Sequence, residues 1–279
     1  MDAARLARAL GRRAQATVRR ARDVRSGVAL AREDVELVST AGYRLAARVT
    51  RPADGDALPG LVVSPAIHEG RAGLEGFLGP VAASEIARLG YAVLTFDPAG
   101  RGESWGAEDF GGPEHQDDLR VAIRWMREAH ARVGVLSLSL GVAAAAGALA
   151  RWRDELDVSW LVDWEGPCDR EIVTAGGTKM APADGHALDD EAYWRPREAV
   201  RHVGALRCGY VRLQADPDHA QPGEVRHATR MLHAAKAGDV PWLQINDHPR
   251  GEVPPRPVWL RGGTWSANRA ILRKLAALR

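Results

Sequence analysis

The chain has 279 residues, 38 basic and 36 acidic, for a net charge of +2. So even a balance gives no global argument for nucleic acid, and no apolar run reaches the length of a membrane span. Length and ordinary apolar content predict one large domain with a full core. Two cysteines, Cys168 and Cys208, exclude a disulfide framework and any Cys-x-x-Cys metal or redox site.

Residues 1–30 open the chain as a basic helix or leader, with eight arginines before Val28 and no secretory apolar core. This segment predicts at most weak contact with an anionic surface, and the expected compartment is the cytoplasm. Residues 31–279 form the single domain. From Asp34, the alternation Val35, Leu37, then Gly42, Tyr43, Leu45, Ala47, Val49 predicts an antiparallel hairpin. Leu61–Ser64 reads as a short buried strand, Val81–Leu89 as a helix stopped at Gly90, and Tyr91–Phe96 as the next strand. Leu119, Ala122, Ile123 and Met126 share a helical face between Pro113 and His130. Val133–Leu138 predicts a strand, followed by a small-residue helix from Gly141 to Trp152. Strands are expected at Val158–Asp163, Tyr210–Leu213 and Trp242–Ile245, and helices at 223–236 and 266–278. Alternation of this kind predicts an α/β architecture: a mostly parallel central sheet of about eight strands flanked by helices. Cys168 and Cys208 then fall at opposite ends of neighbouring strands, roughly 15–20 Å apart, and stay free thiols.

The junction Ser137-Leu-Ser139-Leu-Gly141 carries the chemistry. A strand that turns sharply into a helix through a serine with small residues two positions either side lifts that hydroxyl clear of the sheet. Ser139 is therefore the candidate nucleophile, with Ser137 in a place where glycine is commoner. In parallel sheets ligands sit beyond the carboxyl ends of the strands. Asp97-Pro-Ala-Gly-Arg-Gly-Glu-Ser104, Pro65-Ala-Ile-His-Glu-Gly70, Gln214-Ala-Asp-Pro-Asp218-His-Ala-Gln-Pro222 and Asn246-Asp-His248 all fall there.

On these motifs the chain from about Asp34 onward resembles the α/β-hydrolase family. The run at 97–104 is similar to the turn that family places after its fourth strand. The order Ser139, Asp218, His248 matches its order of nucleophile, acid and base. The resemblance implies a Ser-His-Asp triad with no cofactor and no metal. His248, directly after a late strand, would take the serine proton, with His219 as its nearest rival. Asp218 would orient His248, with Asp216 and Asp247 as fallback acids. The backbone N–H groups of Leu140 and of Ile67, or alternatively His68, would hold the oxyanion. His68 is also a candidate substrate contact.

The family's lid position corresponds to an insertion at about 164–206, interrupted by Gly176, Gly177 and Pro182. Trp105, Trp164 and Trp194 are candidate pocket walls. Glu165 and Asp169 would either bind a substrate amine, which points to a peptidase, or stand as rim charges. Asp216, Asp218 and His219 offer metal-type donors without a second histidine at ligand spacing, and Asp184, His186, Asp189 and Asp190 form a solvated acidic loop. The expected function is hydrolysis of a small-molecule carboxylic ester through an acyl-serine. A prolyl-type peptidase or amidase is the alternative, and a catalytically inactive ligand-binding member is a third reading.

Overall fold

The computed structural model describes residues 27–279, except 56, 68, 77–78, 176–187, 217, 220–225, 256–258 and 261–265. The basic leader therefore lies almost wholly outside the described residues. So do the middle of the lid-like insertion, with Asp184 and His186, and also His68.

Eight strands form one sheet in the order β1-β2-β4-β3-β5-β6-β7-β8. They are β1 (Leu30–Val38), β2 (Arg44–Pro52), β3 (Gly60–Ser64), β4 (Ala92–Phe96), β5 (Val133–Leu138), β6 (Trp160–Trp164), β7 (Gly209–Leu213) and β8 (Leu243–Ile245). The hairpin β1–β2 is antiparallel and β2 pairs antiparallel with β4. Every later pairing is parallel. From β4 the chain crosses over β3 to form β5, which leaves β3 and β5 side by side, Ser64 opposite Ser137.

Strands buried on both faces read as continuous apolar runs, and β3 through β7 are buried at every position. Successive side chains alternate faces. Val62, Leu94, Val135 and Leu161 enter one core, whereas Leu61, Val63, Val93, Leu136 and Val162 enter the other. Arg71–Glu75 and Ala83–Ala87 form two short helices, α1 and α2. The long helix α3 (Pro113–Ala129) begins with proline at its first turn, where no N–H is needed. It packs Leu119, Ala122, Ile123 and Met126 into the first core beside α4 (Gly141–Arg151). Beyond β6 come α5 (Arg170–Ala175), α6 (Glu191–Trp194) and three short 3₁₀ turns that lead back to β7. Helix α7 (Arg226–Ala237) joins the first core, and α8 (Ala267–Leu278) closes the second with Ile271 and Leu275.

Both cysteines are free and buried. Burial raises the Cys208 thiol to about 12 and pushes Cys168 higher still. Among the described residues no helix is long and apolar enough to cross a membrane.

Candidate active site

The turn after β5 puts Ser139 in the left-handed region, at φ 52°. A non-glycine residue there is strained by about 1–3 kcal/mol. The Ser139 N–H donates to the Trp164 carbonyl oxygen at 2.9 Å, which pins the turn to the end of β6. Gly141 enters α4 so close to β3 that a Cβ would strike the carbonyl oxygens of Ser64 and Pro65. Ser137 is fully buried, and its hydroxyl has no hydrogen-bond partner among the described residues. Of the two serines only Ser139 is accessible.

The imidazole that meets it is His219, whose Nε2 lies 2.9 Å from Ser139 Oγ. On the other side of the ring, His219 Nδ1 lies 2.8 Å from Glu165 Oε2. The same carboxylate oxygen accepts the backbone N–H of His219 at 2.9 Å, and Oε1 accepts that of Ala215 at 3.0 Å. Glu165 is fully buried and is itself left-handed, at φ 48° directly after β6. An ionised Glu165 accepts a proton-bearing Nδ1, leaving Nε2 as the acceptor toward Ser139. The Trp164 ring stacks on His219 with centroids 4.4 Å apart and 28° between planes. Ser139, His219 and Glu165 thus follow β5, β7 and β6.

The expected base and acid do not meet Ser139. His248 sits in a tight turn, its N–H donating to Ile245 O while the Gly251 N–H returns to Leu243 O. That turn holds His248 at the end of β8, three strands from β5 and on the order of 14 Å across the sheet. Its Nε2 faces Glu252 at 3.4 Å. Asp218 precedes His219 and points the opposite way, into the protein, with Oδ2 3.1 Å from His227 Nε2 and 3.4 Å from Gln214 Nε2. Of the fallback acids, Asp247 pairs with Arg273 and Asp216 is exposed.

Sequence order alone does not separate the two sets, because Ser139, Glu165, His219 also runs nucleophile, acid, base. The signal that does is geometric: the β7 end lies one strand closer to β5 than the β8 end.

Leu140 opens the helix after the nucleophile, and Ile67 packs against the apolar cluster of Leu140, Ala143, Val173, Tyr193 and Trp194. Among the turn and loop backbone bonds of the described residues, neither the Leu140 nor the Ile67 N–H donates to a carbonyl. Trp164 and Trp194 are buried beside the site. Trp105, on the turn after β4, is 64 % exposed, unlike the two buried tryptophans.

Asp169 pairs with Arg230 at 2.5 Å, and Glu165 serves the His219 loop, so neither is free to take a substrate amine. The Glu69 carboxyl lies above its ordinary value because it is buried, an effect that the charges of His219 and Arg101 oppose. Glu165, Asp218 and His219 bring potential metal-binding atoms within 4.8 Å of one another. Glu165 and His219 already satisfy each other there, and the remaining ring nitrogen faces Ser139.

A model of the X-Pro dipeptidyl-peptidase (S15) family matches residues 41–162. No curated protein matches. Among solved structures the chain is similar to the Pyrococcus furiosus esterase Pf2001, with 16 % identity, a TM-score of 0.64 and 89 % of each chain covered. It is similar to brefeldin A esterase, a bacterial homologue of human hormone-sensitive lipase (19 % identity, TM-score 0.62, 89 % of this chain and 76 % of that one). It is also similar to the Pyrococcus horikoshii acylaminoacyl peptidase (13 % identity, TM-score 0.63, 90 % of this chain and 41 % of that one). The fold is the α/β-hydrolase fold. With the S15 match and the array at Ser139, the chain is a hydrolase of the α/β-hydrolase type.

Proposed function

We propose that the protein hydrolyses a small carboxylic ester through an acyl-Ser139 intermediate, with His219 as general base and Glu165 as its orienting acid. The observation that carries this reading is the pair of contacts on one imidazole, 2.9 Å to Ser139 Oγ and 2.8 Å to Glu165 Oε2. As Oγ attacks the ester carbonyl, its proton passes to His219 Nε2, and Glu165 stabilises the imidazolium through Nδ1–H. The N–H groups of Leu140 and Ile67 receive the developing oxyanion. Collapse expels the alcohol, which takes the proton back from Nε2. Water, activated by the same nitrogen, then releases the acid.

The commitments of Glu165 and Asp169 support an ester, since they leave neither carboxylate to recognise the amine of a peptide substrate. The esterase of Pyrococcus furiosus also matches over nearly the whole of both chains. The S15 match over residues 41–162 favours a second reading, peptide-bond cleavage by the same three side chains. A panel of p-nitrophenyl esters of rising acyl length beside aminoacyl and X-Pro p-nitroanilides separates the two. Turnover of the esters, abolished in Ser139→Ala, is expected. A kcat/KM for an anilide equal to or above that for every ester would overturn the ester assignment.

A further inference from the structure

The turn Asp97–Ser104 does more than end β4. Asp97 clamps it, Oδ1 accepting the Arg71 N–H at 2.6 Å and Oδ2 the Glu103 N–H at 3.1 Å. Gly102 is left-handed and so close to the Asp97 carboxylate that a Cβ would collide with it. Between two left-handed glycines stands Arg101, only 8 % exposed. Its side chain crosses to the loop after β3, where Nη1 donates to the carbonyl oxygens of Ala66 at 2.9 Å and Glu69 at 3.1 Å. Glu108 holds the other edge of the guanidinium in a bidentate pair, Nε to Oε2 at 2.7 Å and Nη2 to Oε1 at 2.8 Å.

The Ala66 carbonyl and the Ile67 N–H belong to one planar trans peptide, so they point in opposite directions. Whatever fixes the carbonyl fixes the aim of the N–H. The Ala66 oxygen accepts from two sides, from Arg101 and from the Glu69 N–H at 3.1 Å. A charged donor on the carbonyl also polarises the peptide, which strengthens the N–H as a donor. We infer that Arg101 is a positioning residue of the oxyanion hole, aiming and polarising the Ile67 N–H through the Ala66 carbonyl. This inference rests on the Ser139 reading above and on Ile67 as an oxyanion donor.

The surroundings keep the guanidinium paired and in place. Burial works against the Glu108 carboxylate, but the hydrogen bonds and charge of Arg101 outweigh it and hold Glu108 below its ordinary value. His115, 3.6 Å from Glu108, is pushed down to about 4 by burial and by the charge of Arg101, so it stays neutral and does not compete for the carboxylate. Arg101, His115, Ile67 and Leu140 line one small cavity beside the elbow.

The test uses Arg101→Met, which removes the charge and all donors, and Arg101→Lys, which keeps the charge and loses the fork. Each is read by kcat and KM on p-nitrophenyl acetate and by the affinity of an aryl trifluoromethyl ketone, which forms a tetrahedral adduct on an active serine. Removing an oxyanion donor outright costs about 10²–10³-fold in kcat. Misaiming one should cost Arg101→Met about 10–100-fold, with KM within about threefold and ketone affinity falling in parallel with kcat/KM. Arg101→Lys should fall between Met and the parent. A merely structural loss would lower the folded fraction without weakening the ketone on the molecules that remain folded. Parental kcat and parental ketone affinity in either folded variant overturn the positioning role. A ketone that binds Ser139→Ala as tightly as the parent would instead overturn the Ser139 reading itself.

Discussion

Replacing Glu165 by glutamine isolates what the acid does, because size and shape are kept. Its two oxygens accept three N–H groups, Ala215 on Oε1 and both His219 donors on Oε2. An amide offers only one oxygen. If that oxygen faces His219, the amide NH₂ opposes the Ala215 N–H, and a buried donor loses its acceptor at a cost of about 1–3 kcal/mol. If it faces Ala215, the NH₂ opposes the His219 N–H and forces Nδ1 to become an acceptor. The ring proton then sits on Nε2, and the base cannot take the serine proton. Either way the imidazolium loses its counter-charge. Glu165→Gln should lower kcat on p-nitrophenyl acetate by roughly 10³–10⁴-fold, the scale of a wrong tautomer. KM should change little, and urea denaturation should show a stability loss of about 1–3 kcal/mol. A variant that keeps a tenth of the parental kcat while folding normally would refute the reasoning.

His248→Asn should leave kcat within about twofold in the same assay, since the β8 turn holds that ring at its own strand end; a loss above tenfold would restore His248 to the site. Asp218→Asn should cost about 1–3 kcal/mol of stability in urea titration through its buried contacts with His227 and Gln214, yet keep kcat within about tenfold. Gly141→Val drives side-chain atoms into two backbone carbonyls that cannot move aside, so the urea midpoint should drop by the equivalent of about 2–3 kcal/mol. His115 falls to about 4 on folding from an ordinary 6.5, so the unfolded chain binds the extra proton between those values. Its contribution to stability is full above 6.5 and shrinks as pH falls to 4, by roughly 3 kcal/mol in all. His115→Asn should therefore lose less stability than the parent between pH 7 and pH 4, and an equal or larger loss would contradict the sign.

The sheet was legible in the sequence because the central strands are short, largely apolar runs, and two are bounded by turn residues, Leu61–Ser64 by Gly60 and Pro65 and Tyr91–Phe96 by Gly90 and Asp97. Leu61–Ser64, Tyr91–Phe96 and Tyr210–Leu213 fall within a residue of the observed strands. The elbow was legible because only small residues fit where α4 nearly touches β3. What periodicity could not supply was the distance across the sheet. His219 and His248 both follow late strands, and Asp218 and Glu165 both precede a histidine in chain order. The choice depends on which turn folds toward β5. The Asn246–Gly251 turn closes back on β8, whereas the β7 loop is drawn inward by Glu165 accepting its backbone. Read along the sequence, Glu165 is an unremarkable charge after a strand. Its role appears only once β6 lies between β5 and β7.

The central claim is that His219, and not His248, serves Ser139. Covalent labelling by a fluorophosphonate, with the rate followed and the modified peptide identified by mass spectrometry, tests it in the parent, His219→Ala and His248→Ala. The adduct should lie on Ser139. Labelling should slow by at least about 10³-fold in His219→Ala, since losing the base removes most triad catalysis, and should keep the parental rate in His248→Ala. Parental labelling of His219→Ala together with loss of labelling in His248→Ala, or an adduct on any residue other than Ser139, would contradict the account.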